Sequence, residues 1–535
     1  MRKLFTRCFV ISLMSVLVIS SSVLASQEQK LLADDGDDGD RLGSAVAIEG
    51  NYLVCGAPED DAAANRSGSA YVFKWETDSW VQHSKIVPAD AQSGAQFGNA
   101  VAMAGNYLLI GAFRDKEHGN QAGAAYLWER FGDTWSFQTK LTPNTPQANS
   151  EFGYSVAING DYAVIGAHRY EHSGENIGAA YVFERNGMSW VQDAMLLETG
   201  LTPSSSYGCA VGVNGNTIMV GAKDDATTGI STGAVYIYDH DGVNWNFLQR
   251  MVHPNGNDND HFGCSLAIDT GGWAIVGADA GNGSAVDSGL AYICNYHNGT
   301  WGPFIKHVPI PSEPDVGFGW SVAMKGGSAA VGAPWTNAEG VTLSGKVHTY
   351  NYDGSTWQYG ATFTASDPTF NGHLGYSVAV QNNEGVFGAI GAENNGDYTG
   401  AGYWNFDFSK PNPTATPTPV SITYDIHMID DNLKEGDTFS LRRACYNPIS
   451  TRDVDEWIIL DVFDSYWYWP GWDVNPVSFT WSLPFGVDYD DVILEFDWPL
   501  VEGDVTGLRF WGAFLEAGTV DLIEYDMVEW GYSNK

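Results

Sequence analysis

The feature that most limits what this chain can become is a Phe-Gly step, or a close variant, repeated at near-constant spacing. Its glycine falls at Gly43, Gly98, Gly153, Gly208, Gly263, Gly319 and Gly375, 55 residues apart four times and then 56 twice. Each unit carries a second mark, Gly-Ala, at Gly56, Gly111, Gly166, Gly221, Gly277, Gly332 and Gly391. A third is a short run such as Ala70 to Phe73 or Ala180 to Phe183. The fourth is a tryptophan at Trp80, Trp135, Trp190, Trp245, Trp301 and Trp357, opening a run that ends near Lys85-Ile86 or Lys140-Leu141. Four apolar runs divided by Gly, Asn and Asp read as four strands with turns between them. Nothing between the marks has a 3.6-residue apolar period long enough for a helix, so the unit is a propeller blade and not a turn of a helical solenoid.

The first strand of each unit supports a ring of seven blades. Four residues after the marker glycine stand Ala47, Ala102, Ala157, Gly212, Ala267, Ala323 and Ala379, and one position earlier Val46, Val101, Val156, Val211, Leu266, Val322 and Val378. Innermost strands converge on the axis, where native packing density admits only small side chains at every second position. The seventh unit has no fourth strand after Tyr403. The segment from Gln27 to Leu32 carries the missing Lys-Leu ahead of the first unit. We therefore expect the N-terminal strand to complete the last blade and remove its bare edge.

These marks resemble the FG-GAP repeat of the integrin alpha-subunit propeller and of many secreted bacterial proteins, over about residues 27–409. The resemblance implies extracellular protein or glycan binding. Integrin propellers also hold calcium in an Asp-x-Asp-x-Asp-Gly loop between the first two strands of certain blades. Here that connection is a tight turn in most blades, and the longest, Gln381 to Gly385, lacks alternating carboxylates. Integrin-type calcium sites are thus not expected, and no other cofactor is indicated.

The chain opens with Arg2, Lys3 and Arg7, an apolar core from Phe9 to Ile19, and Val23-Leu24-Ala25, the pattern of a signal peptide over residues 1–25. This predicts a secreted or cell-surface protein, with no other stretch long enough to span a membrane. Losing those residues removes three basic and no acidic side chains, taking the net charge from −39 to near −42. Such a surface repels nucleic acid and anionic membranes and suits cations or basic partners. The five remaining cysteines, Cys55, Cys209, Cys264, Cys294 and Cys445, form no disulfide framework and read as buried small hydrophobes. From residue 410 the composition changes to a Pro/Thr-rich spacer, 410–420, followed by 421–535, whose alternating apolar runs suggest a small β-sandwich of no family we recognise. The expected fold is all-β: a seven-bladed propeller over 26–409, then the sandwich.

Candidate chemistry is sparse. The links between blades and the loops between second and third strands share one face, which receives the long acidic loops around Asp60, Asp61, Asp224 and Asp225. Long loops on a rigid ring are where binding usually lives, so these four are candidate ligand contacts. The acidic run from Asp34 to Asp40 offers Asp35, Asp37 and Asp40 as hard-cation ligands, against the plainer reading of a solvated loop. His168-Arg169-Tyr170-Glu171-His172 spells a zinc-protease string, and Gly229 to Gly233 a nucleophile elbow. Both need a helix that an all-β blade does not supply, and both are rejected. The repeat tryptophans, in phase with the core pattern, read as packing between blades and not as sugar platforms. In Tyr466 to Trp472, Trp467, Trp469 and Trp472 are candidates for exposed stacking on a glycan or protein.

The reading is a non-enzymatic recognition or adhesion protein. The alternatives are an extracellular polysaccharide-acting enzyme, which would need titratable groups clustered at the ring centre, and a structural surface-layer component, which would self-assemble.

Overall fold

The computed structural model describes residues 28–406, save 199, 255, 283–286, 298, 303, 309–315 and 394–397, and from residue 423 the backbone of the strands. Residues 1–414 and 415–535 are separate compact units. The signal-peptide expectation and the spacer fall outside the described residues.

The first unit is a seven-bladed propeller of antiparallel sheets. Blade 1 runs Ala45–Glu49, Tyr52–Ala57, Ser69–Glu76 and Ser79–Ile86, hydrogen-bonded in that order from axis to rim. Blades 2 to 6 repeat it over 101–141, 155–196, 207–252, 262–307 and 321–363. The outermost strand of blade 5 is in two pieces, Thr300–Trp301 and Ile305–His307, both on Leu290–His297. Blade 7 consists of Leu374–Gln381, Glu384–Ala389 and Ala401–Phe406, and its fourth strand is Glu28–Leu31. The register opposes Lys30 to Tyr403, as Lys85 opposes Tyr71 and Lys140 opposes Tyr126. The N-terminal strand thus closes the ring in the position its Lys-Leu pair predicts. Gln29 ties it to the next blade, donating to Trp80 O at 2.6 Å and accepting from Trp80 N at 2.8 Å.

The marker glycine has a double physical cause. In every blade the N–H of the residue after it donates to the carbonyl of the residue two before it, as Tyr154 does to Glu151 at 3.2 Å, so Phe-Gly is the centre of a tight turn. The glycine there holds φ near +90°, which a turn of type II demands at its third residue. It also abuts the Gly-Ala mark of the preceding blade: a Cβ on Gly166 would lie 2.0 Å from Gly208 O, and one on Gly56 2.0 Å from Gly98 O. Blade against blade, backbone meets backbone. The ring closes on the same contact, since a Cβ on Gly388 would lie 1.9 Å from Gly43 O. This corrects one sequence assignment: the seventh Gly-Ala mark is Gly388-Ala389, paired with Ser377 and Ala401, and not Gly391-Ala392, which follows the strand. The run Gly388-Ala389-Ile390-Gly391-Ala392 holds the dipeptide twice, and only pairing separates the copies.

The aromatic or aliphatic partner of each glycine is fully buried: Leu42, Phe97, Phe152, Tyr207, Phe262, Phe318 and Leu374. The repeat tryptophans pack at the outer seams. Trp80, Trp190, Trp301 and Trp357 are buried, Trp135 and Trp245 half-buried, and Trp135 meets Tyr52 of the preceding blade edge-on at 5.8 Å. The thiols of Cys55, Cys209, Cys264 and Cys294 are free. Cys209 and Cys264 each donate to a marker-glycine carbonyl of the following blade, at 3.5 and 3.4 Å, instead of bonding to one another.

The second unit places its strands in two antiparallel sheets. One holds Thr423–Met428, Thr438–Tyr446 and Asp488–Asp497. The other is built on Arg452–Val462, with Ser465–Trp469 and Phe479–Leu483 along one side and Val505–Glu516 and Leu522–Tyr532 along the other.

Candidate functional site

Two positions of the Phe-Gly turns, the residue two before the glycine and the residue after it, supply Arg41, Gln96, Ser44, Asn99, Tyr154, Trp320 and Tyr376 to a hollow on the long-loop face. The first position holds Arg41, Gln96, Glu151, Ser206, His261, Gly317 and His373, every one with φ between 55° and 63°. Left-handed backbone at six non-glycine residues costs roughly 1–3 kcal/mol apiece and persists only because the turn on either side is fixed. The second position holds Ser44, Asn99, Tyr154, Cys209, Cys264, Trp320 and Tyr376. The framework residues repeat while the two flanking positions vary, so the same scaffold carries charged, amide, thiol and aromatic side chains at different stations round the ring. The links come to this face because they are hydrogen-bonded to the loops: Gly94, Gln96 and Phe97 donate to Asn65, Arg66 and Ser67.

The hollow, inside the axial mouth on this face, is about 310 Å³ and is lined among others by Arg41, Glu59, Gln96, Phe113, Tyr154, Trp320 and Tyr376. Trp320 packs edge-on against Trp335 at 4.6 Å and tilted against Tyr376 at 5.6 Å. On the facing wall Tyr154 stands perpendicular to Phe113 at 5.6 Å. Burial, with Cys209 and Tyr376 nearby, pushes the Tyr154 phenol up. Most acids of the mouth are already engaged. Glu151 takes His168 and Arg169 at 3.3 Å each, Asp224 takes Ser206 Oγ at 2.7 Å and Lys223 at 3.0 Å, and Asp279 takes His261 at 3.0 Å. Burial, then repulsion from Arg169 and Lys223, lowers His168 to about 4, so it is neutral at physiological pH. The other axial mouth is larger, about 650 Å³, but is walled by tight turns and by aliphatic side chains such as Met103, Ile158 and Met324. An ion pair from Lys325 to Glu49 spans it.

The sequence candidates divide. Asp60 and Asp225 are buried inside their blades: Asp60 accepts from Ser69, Tyr71 and Lys85 at 2.6, 2.8 and 2.9 Å, and Asp225 from Tyr236 and Arg250 at 2.6 and 2.8 Å. Burial works to raise the Asp225 carboxyl, but its donors outweigh that and hold it low. Asp115, Tyr126 and Lys140 form the same cluster in blade 2. Asp61 is exposed and caps the Arg66 N–H at 2.6 Å, while Asp224 stands at the axial mouth. His168 and His172 of the zinc-protease string lie in a turn and in a two-residue strand, the first half-buried and the second exposed. Trp467 and Trp469 sit on the strand Ser465–Trp469, opposite Leu460 and Ile458. Trp472 lies outside the described residues.

The structure brings Asp35, Asp37 and Asp40 together with Asp60 and Asp61 around a hollow of about 540 Å³. The chain's own cations occupy it: Lys85 bonds Asp35 at 2.7 Å as well as Asp60, and Arg66 pairs with Glu59. Among the described residues no group of three or more His, Cys, Asp or Glu side chains is arranged to hold a metal. Asp40 accepts from Asp37 N at 2.8 Å. Burial, aided by repulsion from Asp60 and Asp37, raises its carboxyl to about 6 from an ordinary 3.8. The folded chain therefore keeps this proton to higher pH than the unfolded one, and the stability it contributes declines as pH rises from about 4 to about 6. Asp40→Asn keeps the acceptor and removes the buried charge. It should stabilise the protein by about 1 kcal/mol at pH 8 and change little at pH 4. An equal difference in melting temperature at both pH values would refute this.

The model of the FG-GAP repeat matches residues 25–73, 80–128, 135–183, 190–238, 245–294 and 312–350. The chain belongs to the FG-GAP repeat family. All six FG-GAP matches end on the third strand of a blade, and those starting at 80, 135, 190 and 245 begin on the outermost strand of the blade before, so the sequence unit and the blade are out of phase by one strand. That offset leaves a fourth strand at the N-terminus for blade 7. No curated protein matches the chain. FG-GAP repeats are typical of extracellular proteins, and among the described residues no helix is long and apolar enough to cross a membrane.

Proposed function

We propose that this FG-GAP protein is a secreted or cell-surface recognition protein, an adhesin in the broad sense, that binds an extracellular protein or glycan without transforming it. The observation that supports this reading is the axial cup on the long-loop face. It is assembled from side chains of five blades, at the positions the repeat leaves free, and set in a backbone frame that close glycine contacts make rigid. Preorganised, mixed aromatic and polar hollows of this size suit binding. The carboxylates Glu151 and Asp224 beside the cup are held in ion pairs, and His168 is neutral, which favours recognition over general acid–base chemistry.

The test is an array of extracellular-matrix proteins and glycans probed with the chain lacking residues 1–25, beside a Tyr154→Ala, Tyr376→Ala double variant. The reading expects at least one ligand, lost in the variant and recovered chemically unchanged by mass spectrometry. Binding that ignores the double variant would remove the cup from the function, and a cleaved ligand would favour the enzyme.

A further inference from the structure

We propose that the axial cup binds a carboxylated pyranose, a uronic-acid-type sugar residue at the end of, or within, an acidic glycan. This deepens the recognition reading and rests on it. The argument begins with charge. The whole chain has 65 acidic and 26 basic residues, which would exclude an anionic ligand from most of its surface. At the axial mouth the acidic excess disappears, with Arg41, Arg114, Arg169 and Lys223 set against Glu59, Glu151, Asp224 and Asp279. Those cations stand within the first residues of the turns and loops that line the mouth, and the nearby acids are already taken: Glu59 by Arg66 and Gln96, Glu151 by Arg169 and His168, Asp224 by Lys223.

Among the described residues Arg41 and Arg114 have no ion pair to a carboxylate, and of the two it is Arg41 that lines the cup. Its side chain is exposed. Its charge reaches Tyr376 and His373, where it works against protonation of His373, itself lowered first by burial. A guanidinium at the wall of a concave site presents paired N–H donors that a planar carboxylate accepts two at a time. Its position is imposed by the fold, because Arg41 occupies the left-handed corner of the first Phe-Gly-type turn, φ 57°.

The rest of the cup fits the sugar. A pyranose has a C–H face that lies against an aromatic ring and an equator of hydroxyls that need donors and acceptors. Trp320 is half-buried and braced by Trp335 and Tyr376, so little side-chain entropy is lost when a ring settles on it. Gln96 and Asn99 supply amides at the base. The Oε1 of Gln96 and the Oδ1 of Asn99 are buried without a partner among the described residues, although each Nδ2 or Nε2 is bonded. Unsatisfied buried acceptors are costly, and a hydroxyl donor or water in the cup would relieve them. A hollow of about 310 Å³ is at the lower end of the ~300–1,000 Å³ usual for ligand sites, which suits one or two sugar residues and not a folded protein surface.

The experiment is calorimetric titration of the chain lacking residues 1–25 with galacturonate, glucuronate and mannuronate trisaccharides, each beside its carboxyl-reduced neutral counterpart. The expected result is that at least one uronate binds tenfold or more tighter than its reduced partner. Arg41→Gln, at an exposed position, should abolish that ratio, and Trp320→Ala should weaken acid and neutral forms alike, both variants keeping the parent melting temperature. Equal affinity for a uronate and its reduced form, or a preference that survives Arg41→Gln, would overturn the proposal. If no sugar binds while a protein ligand on the array is lost with Tyr154→Ala, Tyr376→Ala, the sugar assignment fails and the recognition reading stands; if nothing binds at the cup, both fail.

Discussion

Gly166→Ala, the addition of one methyl group to a second strand of blade 3, is expected to destabilise the propeller by more than about 4 kcal/mol and to lower its melting temperature by roughly 10 °C. The new Cβ would sit 2.0 Å from Gly208 O and 2.3 Å from Ser155 Oγ. Neither can yield cheaply. Gly208 O is backbone in the turn that begins blade 4, and it accepts the Ser155 hydroxyl at 2.8 Å, while Gly166 O itself holds Gly153 N at 2.9 Å. To make room, blade 3 must part from blade 4 along a seam where Val164, Val182 and Val220 are fully buried. In a closed ring that opening is passed to the other seams. Overpacking of this kind, against backbone instead of a flexible side-chain end, exceeds the usual 1–3 kcal/mol. The control is Gly160→Ala, in the hairpin turn of the same blade. There φ is +58° but nothing lies within 4 Å of the new methyl, so only the left-handed backbone term of about 1 kcal/mol applies. If the two variants melt together, the glycine contact is not what holds neighbouring blades at this distance.

What could be read in the amino-acid order, and what could not, follows from where the physics is periodic. Strand order, blade number and ring closure are repeated demands, and each left a mark at the same phase: a small residue beside the axis, a glycine at the turn, Lys-Leu on the outer strand. The seventh Gly-Ala mark is ambiguous by three residues because Gly388-Ala389 and Gly391-Ala392 are indistinguishable until the pairing of Gly388 with Ser377 and Gly402 is known. The use of Asp60 and Asp225 inside the blade was legible in principle. In three blades an aspartate is followed eleven residues later by a tyrosine and twenty-five later by Lys or Arg, a spacing that marks a buried ion pair bridged by a phenol. The cup had no such mark. Arg41 stands at one of the two varying positions of its turn, and Tyr154 and Trp320 at the other, and a site made from the non-repeating positions of a repeat protein is silent in any search for repetition. It emerges only when the ring brings blades 1, 3 and 6 around one axis.

Removal of the closing strand carries the second large effect. A chain beginning at Asp34 loses the four-residue pairing of Glu28–Leu31 with Ala401–Phe406, the Lys30–Asp367 ion pair at 2.6 Å, and both hydrogen bonds between Gln29 and Trp80. It also uncovers Tyr403 and Trp404, which are 2% and 3% exposed in the intact ring, and removes Leu31 from the core beside them. At about 25 cal/mol per Å² of apolar surface, with two large aromatics uncovered, the loss is several kcal/mol. The surface ion pair adds little by itself. Structure matters as much as energy here, because Ala401–Phe406 becomes a free edge with unpaired N–H and C=O groups and an apolar face. Such an edge recruits another strand. The shortened chain should therefore melt at least 5 °C lower and associate, and a synthetic peptide of residues 26–33 added in excess should restore both the melting temperature and the monomer by adding itself as the missing strand. Light scattering after size exclusion, with and without the peptide, reads the association directly. A shortened chain that stays monomeric and melts with the parent would mean that blade 7 is stable on three strands, and that closure by the N-terminus contributes nothing to the ring.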